Sequence, residues 1–208
     1  MAKQMHVGEQ VSELCQEIRS AVESHWVFTA ISDYMDKPQN IETRDRFWFV
    51  YPVLVNNAFD SMVVSTFNLL DTKDEVLTLN TVASALASAQ ADPDVVKLLR
   101  QVHEHHQALR KAIFRVRNNG VAHLNSKKTS RVHLVEAGLT EPEVRSFMQD
   151  LVLVSDAIRS LCAWEVGPPN RRVEAEAAQL FHLAGGMSQH LRSGGTALPL
   201  DKLHKRMP

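Results

Sequence analysis

Arg117, Asn118 and His123 are the residues in this sequence whose types and spacing best suit chemistry, within LRKAIFRVRNNGVAHLNSKKTSR from Leu109 to Arg131. An arginine holds a phosphate through two parallel N–H donors and stabilises charge that builds on it during transfer. A histidine titrates near neutrality, so it takes a proton from a nucleophile or returns one to a leaving group. Asn118 is placed to orient either the phosphate or the imidazole. Residues three apart on a helix are neighbours, so Gly120 stands beside both Arg117 and His123, which lie about 120° apart around a regular helix. That glycine costs about 1 kcal/mol of helix stability relative to alanine, but it leaves a hollow that guanidinium and imidazole can share. The pair Asn119-Gly120 is also a signal for a bend or a helix end. RNA brings its own nucleophile, the ribose 2′-hydroxyl, so these groups could cleave it without a metal, leaving a cyclic phosphate and a free 5′-hydroxyl.

Charge supports a polyanion at this place. The formal net charge is −1, yet residues 100–131 hold eight Lys or Arg and one acid, Glu104, so this segment carries +7 and the remainder −8. Arg110 and Arg115 precede the motif and Lys127, Lys128 and Arg131 follow it, which makes these five the expected RNA contacts. A basic stripe on an otherwise acidic chain favours docking at one site over general adhesion to nucleic acid. The competing reading is an ordinary solvated helix face.

The elements that must position these residues are helical. Apolar residues at Val11, Leu14, Cys15, Ile18, Val22 and Trp26 predict a first helix from Glu9 to about Ile31, after a loose start over residues 1–8. A second helix is expected from about Thr43 to Leu70, with Phe47, Tyr51, Leu54, Ala58, Met62 and Leu69 inward and Pro52 in its early turns. Asp71 is the expected cap of a third helix, with Asp74 and Glu75 in its first turn and an end near Gln90. Asp92-Pro93 opens a fourth, whose inward seam runs Val95, Leu99, Val102, His106, Leu109, Ile113, Val116, Gly120, His123. A polar basic loop over residues 125–130 and an ambiguous stretch to Ala137 follow. Thr140 and Glu143 then form a capping box around Pro142 and open a fifth helix through Val144, Phe147, Leu151, Ile158 and Leu161, ended by Gly167-Pro168-Pro169. Residues 171–184 predict one more helix before a glycine-bearing tail. The expected fold is all-α, an antiparallel bundle of four to five main helices, with residues 9–166 as the domain and 167–208 as a short C-terminal appendage.

Several other readings compete with the motif. An arginine followed at similar spacing by histidine also occurs as Arg19 with His25 and as Arg100 with His105 and His106, so spacing alone is weak. The cluster His103, His105, His106 lacks the HExxH arrangement of a zinc site and no other ligands complete it; no metal or cofactor is expected, and His106 reads as a hydrogen-bonded core residue. His123 has the same alternative, with Arg117 paired to an acid on another helix. Asn57 and Asp60 on the second helix approach the cleft in one reading and lie on an exposed face in the other. Cys15 and Cys162 on apolar faces read as reduced core thiols. With no leader-like start and no uninterrupted apolar run of membrane length, a soluble cytoplasmic protein is expected.

What separates the third arginine–histidine pair is Asn directly after Arg, Ala directly before His, the intervening glycine and the basic loop behind. Here RNNGVAH resembles the motif of the HEPN superfamily (higher eukaryotes and prokaryotes nucleotide-binding), in particular its abortive-infection and toxin branch. That motif is Arg, often followed by a polar residue, then His after four to six intervening residues; this chain has five. The resemblance extends in outline from about Trp26 to Leu161. It implies a helical bundle that forms a homodimer with the motifs of both subunits facing one cleft, metal-independent endoribonuclease activity, Arg117 and His123 as the catalytic pair and Asn118 as the accessory polar residue. In a toxin–antitoxin pair, an antitoxin protein would cover the basic cleft. Some members of the superfamily keep the fold without activity, so a non-catalytic module that binds RNA, a nucleotide or a protein partner is the alternative.

Overall fold

Two side chains set where the first helix begins. His6 Nδ1 accepts the Gly8 amide at 3.3 Å, and the Glu9 carboxylate accepts the His6 amide at 3.1 Å. This reciprocal capping carries helix α1 (Val7–Met35) two residues further back than its apolar pattern alone indicates, and at its other end it runs past Ile31 to Met35. The computed structural model describes residues 6–41, 45, 50–73, 76–118, 137–162, 166–177 and 179.

Helix α2 spans Val50–Leu70. Pro52 lies within this helix near the start of its described span, and residues 46–49 before it are outside the described residues. The expected start at Thr43 and the inward Phe47 fall outside the described residues. Met62 and Leu69 are buried as expected and Tyr51 and Ala58 half-buried, but Leu54 is 41% exposed and Val55 and Phe59 take the inward positions instead. Steps of three and four admit two adjacent tracks along a helix. Packing of Val55 in one cluster with Ala30, Ile31 and Met35 of α1 selects the other one.

The third helix also starts later than Asp71 suggests. Helix α3 (Leu79–Ser88) is capped by Thr78, whose hydroxyl accepts the Thr81 amide at 3.1 Å while the Thr81 hydroxyl accepts the Thr78 amide at 2.8 Å. Asp71 is instead buried at the end of α2, its carboxylate accepting the Thr72 amide at 2.7 Å; residues 74 and 75 are outside the described set. Helix α4 (Pro93–His105) opens as expected, with Asp92 Oδ1 accepting the Asp94 amide at 2.9 Å. The single long helix expected after it is two helices, α4 and α5 (Gln107–Val116), separated by His106 at φ −97° and ψ 24°. Helix α6 spans Glu141–Ile158, with the Glu143 carboxylate accepting both the amide and the hydroxyl of Thr140 at 3.1 and 2.7 Å. It passes into a tighter turn over Arg159–Leu161, so the regular helix stops before Leu161. Residues 172–177 are helical.

The fold is all-α, with no strand among the described residues. Leu14 and Ile18 of α1, Met62 and Val63 of α2, Leu79 and Val82 of α3, Leu99 of α4, Ile113 of α5 and Phe147 and Leu151 of α6 share one core. Helix α1 is its axis, packed by α2, α3 and α6. Cys15 and Cys162 are free thiols with sulfurs 3.1 Å apart, and burial pushes the Cys15 thiol well above its usual range. Among the described residues no helix is long and apolar enough to cross a membrane.

Candidate functional site

Helix α5 carries the described part of the motif, and its inner face fixes its rotation. Leu109, Ala112, Ile113 and Val116 are buried, so Arg110, Lys111, Phe114 and Arg115 fall on its outer half. Helices α2 and α5 pack against one another.

The break before α5 is held by two buried histidines. His106 Nε2–H donates to Asp150 Oδ2 on α6 at 2.7 Å, and its ring meets Phe147 edge-on at 4.9 Å. One turn earlier, His103 Nε2–H donates to the Asp71 carbonyl at 3.3 Å, leaving Nδ1 to accept from Gln107 at 3.4 Å. Burying imidazoles without such partners would be costly, so these bonds fix where the backbone of α4 can end and α5 begin. The two rings do not offer a pair of metal ligands, and no group of three metal-ligating side chains occurs among the described residues.

Arg110 is half-buried. Its Nη2 donates to Thr72 Oγ1 at 2.7 Å and its Nη1 to Gln107 at 3.4 Å, while Nε is buried with no partner among the described residues. Its guanidinium therefore ties α5 to the segment that follows α2. Arg115 is on the surface, as is Lys111.

Arg117 closes α5 and, with Asn118, forms a wider π-type turn. Its guanidinium carbon lies 4.3 Å from the centroid of Phe67, a ring of α2 that is only 8% exposed. No carboxylate among the described residues pairs with it. A guanidinium over a ring is held by about 0.5–2 kcal/mol of cation–π attraction, which uses none of its five N–H donors. Among the described residues it is an aromatic ring, and not an acid on another helix, that lies against this guanidinium. Asn118 is half-buried beside it in the same turn. His123, Gly120, Lys127, Lys128 and Arg131 lie outside the described residues.

At the two look-alike spacings the side chains have different surroundings. Arg19 pairs with Glu23 at 2.9 Å, and His25 is buried at a groove of about 590 Å³ lined also by Trp26, Asp33, Arg145, Met148 and Arg171. Burial holds His25 below its ordinary value, Glu141 opposing and Arg145 assisting. Arg100 is exposed on α4, while His106 is committed to Asp150. Asn57 is exposed and Asp60 half-buried on α2.

Sequence reasoning missed the two phenylalanines. Phe67 was hidden by its place among apolar residues of another helix; Phe114 carries a readable signal, since it lies off the seam of Leu109, Ile113 and Val116 and is 49% exposed.

Among known proteins, no curated protein and no solved structure matches the chain. The family described as AbiU2, of the HEPN type, matches residues 6–177. That span takes in every helix from α1 to α6 and the basic segment between α5 and α6. The chain, all-α in structure and matched over most of its length, belongs to the AbiU2 family of the HEPN superfamily, in its abortive-infection branch.

Proposed function

We propose that this chain is a metal-independent endoribonuclease, the toxin of an abortive-infection or toxin–antitoxin system. Arg117 binds the scissile phosphate and neutralises charge on its oxygens as the 2′-hydroxyl attacks. His123 moves the proton, Asn118 orients the phosphate or the imidazole, and Arg115, Lys127, Lys128 and Arg131 hold neighbouring phosphates. Arg110, engaged with Thr72, contributes positive potential and the placement of α5. The oxygen of the 2′-hydroxyl bonds to phosphorus, the bond from phosphorus to the 5′-oxygen breaks, and that oxygen leaves with a proton. The products are a 2′,3′-cyclic phosphate and a 5′-hydroxyl end.

The observation that carries this reading is the seating of Arg117. A cation at the end of a basic helix, packed on Phe67 and paired with no carboxylate among the described residues, is pre-oriented for an anion from outside the chain. Membership of the HEPN superfamily supports it, and so does the charge of residues 100–131. A homodimer with both motifs facing one cleft completes the site, and an antitoxin protein silences it by covering that cleft.

Separate substitutions distinguish cleavage from binding alone. The expected result is that His123→Ala abolishes RNA cleavage and relieves growth arrest on expression, with folding and dimerisation unchanged. The double change Lys127→Ala, Lys128→Ala should weaken RNA binding and leave the single-turnover rate at saturation near wild type. If neither wild type nor His123→Ala cleaves RNA while both bind it equally, the protein acts as a binding module; cleavage by His123→Ala at the wild-type rate would remove His123 from the catalytic role.

A further inference from the structure

Phe114 is the large aromatic side chain that the outer face of α5 presents to solvent, at 49% exposure. An apolar ring in that position gains little from burial, so its surroundings matter more than its exposure. Its ring centroid lies 5.9 Å from that of Phe67 with the planes tilted by 34°, and Phe67 also carries the Arg117 guanidinium. One buried ring thus braces both the exposed ring and the cation of the motif. Arg110 lies one turn before Phe114 and Arg117 one turn after it, on the same face, with Lys111 and Arg115 exposed alongside. From Gln107 to Asn118 there are four cations and no acid.

A lone ring among like charges is a poor surface for a second copy of the chain. In a two-fold contact centred on this face, the same cations would meet their own copies. A strand that offers flat bases and phosphates at alternating positions fits both features: bases stack on aromatic rings regardless of sequence while phosphates meet the flanking cations. We propose that Phe114 is a stacking platform for a nucleobase of single-stranded RNA next to the scissile phosphate. This rests on the ribonuclease reading and adds to it a substrate class, unpaired RNA, and a positioning residue. Phe114 takes no part in bond making; it fixes the register of the strand over Arg117.

The test uses two fluorescein-labelled 2′-O-methyl oligoribonucleotides of equal length, which lack the nucleophile and so are not cut: one with bases, one built of abasic units. Binding is measured by anisotropy for wild type, Phe114→Leu and Phe114→Trp, with thermal melting and sedimentation of each variant. Wild type should bind the strand with bases about fivefold or more tighter than the abasic strand, as stacking of one base provides. Phe114→Leu should lose most of that preference by weakening only the strand with bases, and Phe114→Trp should keep it. An unchanged preference in Phe114→Leu overturns the proposal, as does equal binding of both strands by wild type, and in either case the ribonuclease reading stands. Loss of a dimer in Phe114→Leu with the preference unchanged would assign the ring to a protein contact instead. If wild type binds neither strand, the proposal and the ribonuclease reading fall together.

Discussion

Arg117 and lysine would differ at this site in geometry more than in charge. The Arg117 guanidinium carbon sits 4.3 Å from the centre of the Phe67 ring, and a guanidinium there can offer two parallel donors to a phosphate, which an ammonium cannot. Arg117→Lys should therefore lower the single-turnover cleavage rate by about 100-fold while RNA affinity changes little; a lysine variant near wild-type rate would show that charge alone suffices. His25 gives a second prediction at this scale. Burial, the largest influence on it, holds its pKa below the ordinary value of 6.5, and Nδ1 has no partner among the described residues. The unfolded chain then takes up a proton that the folded chain refuses, so the contribution of this residue to stability is complete above about pH 6.5 and declines as pH falls. Thermal melts at pH 7.5 and 5.0 should show wild type losing more on acidification than His25→Gln, and equal losses would contradict it. At the residue scale, the type and spacing that single out Arg117 are written locally in the sequence. Its seat on Phe67 is not, because that contact depends on how α2 and α5 pack.

The elements were legible where their signals are local. Asp92 before Pro93 and Thr140 with Glu143 mark helix starts through hydrogen bonds within one turn, and both are as the sequence indicates. Asp71 has a capping residue's chemistry as well, but Thr78 does the capping, while the Asp71 carboxylate accepts the Thr72 amide and its backbone carbonyl accepts from His103. The division of the fourth helix was illegible for the same kind of reason. Nothing in the apolar seam interrupts at His106; the interruption comes from Asp150 on α6 and from the Phe147 ring. His106→Ala should cost about 2–4 kcal/mol in urea unfolding, from the lost contact with Phe147 and the buried side of Asp150 left without its donor. It should also lower activity by disturbing the placement of α5. A variant as stable as wild type would mean that the break between α4 and α5 does not depend on this pair.

At the scale of the whole molecule, the all-α class was legible because helical periodicity runs through nearly every apolar segment and no alternating pattern competes with it. The bundle uses α1 as its axis and leaves α5 with one face on the core and the other lined with cations. That division of labour matches the charge asymmetry of the sequence, a basic segment on an otherwise acidic chain. In the proposed homodimer two such faces would line a cleft across a gap and not touch, so that their charge would draw RNA in and give the proposed antitoxin a surface to cover. Cleavage by side chains without a metal is the property on which the proposed function turns. Purified wild type and His123→Ala are incubated with a mixed RNA pool in excess EDTA, and the ends of the products are identified. The predicted result is 2′,3′-cyclic phosphate ends from wild type alone. Intact RNA in both reactions, or cleavage by wild type that appears only when a divalent cation is restored, would contradict it.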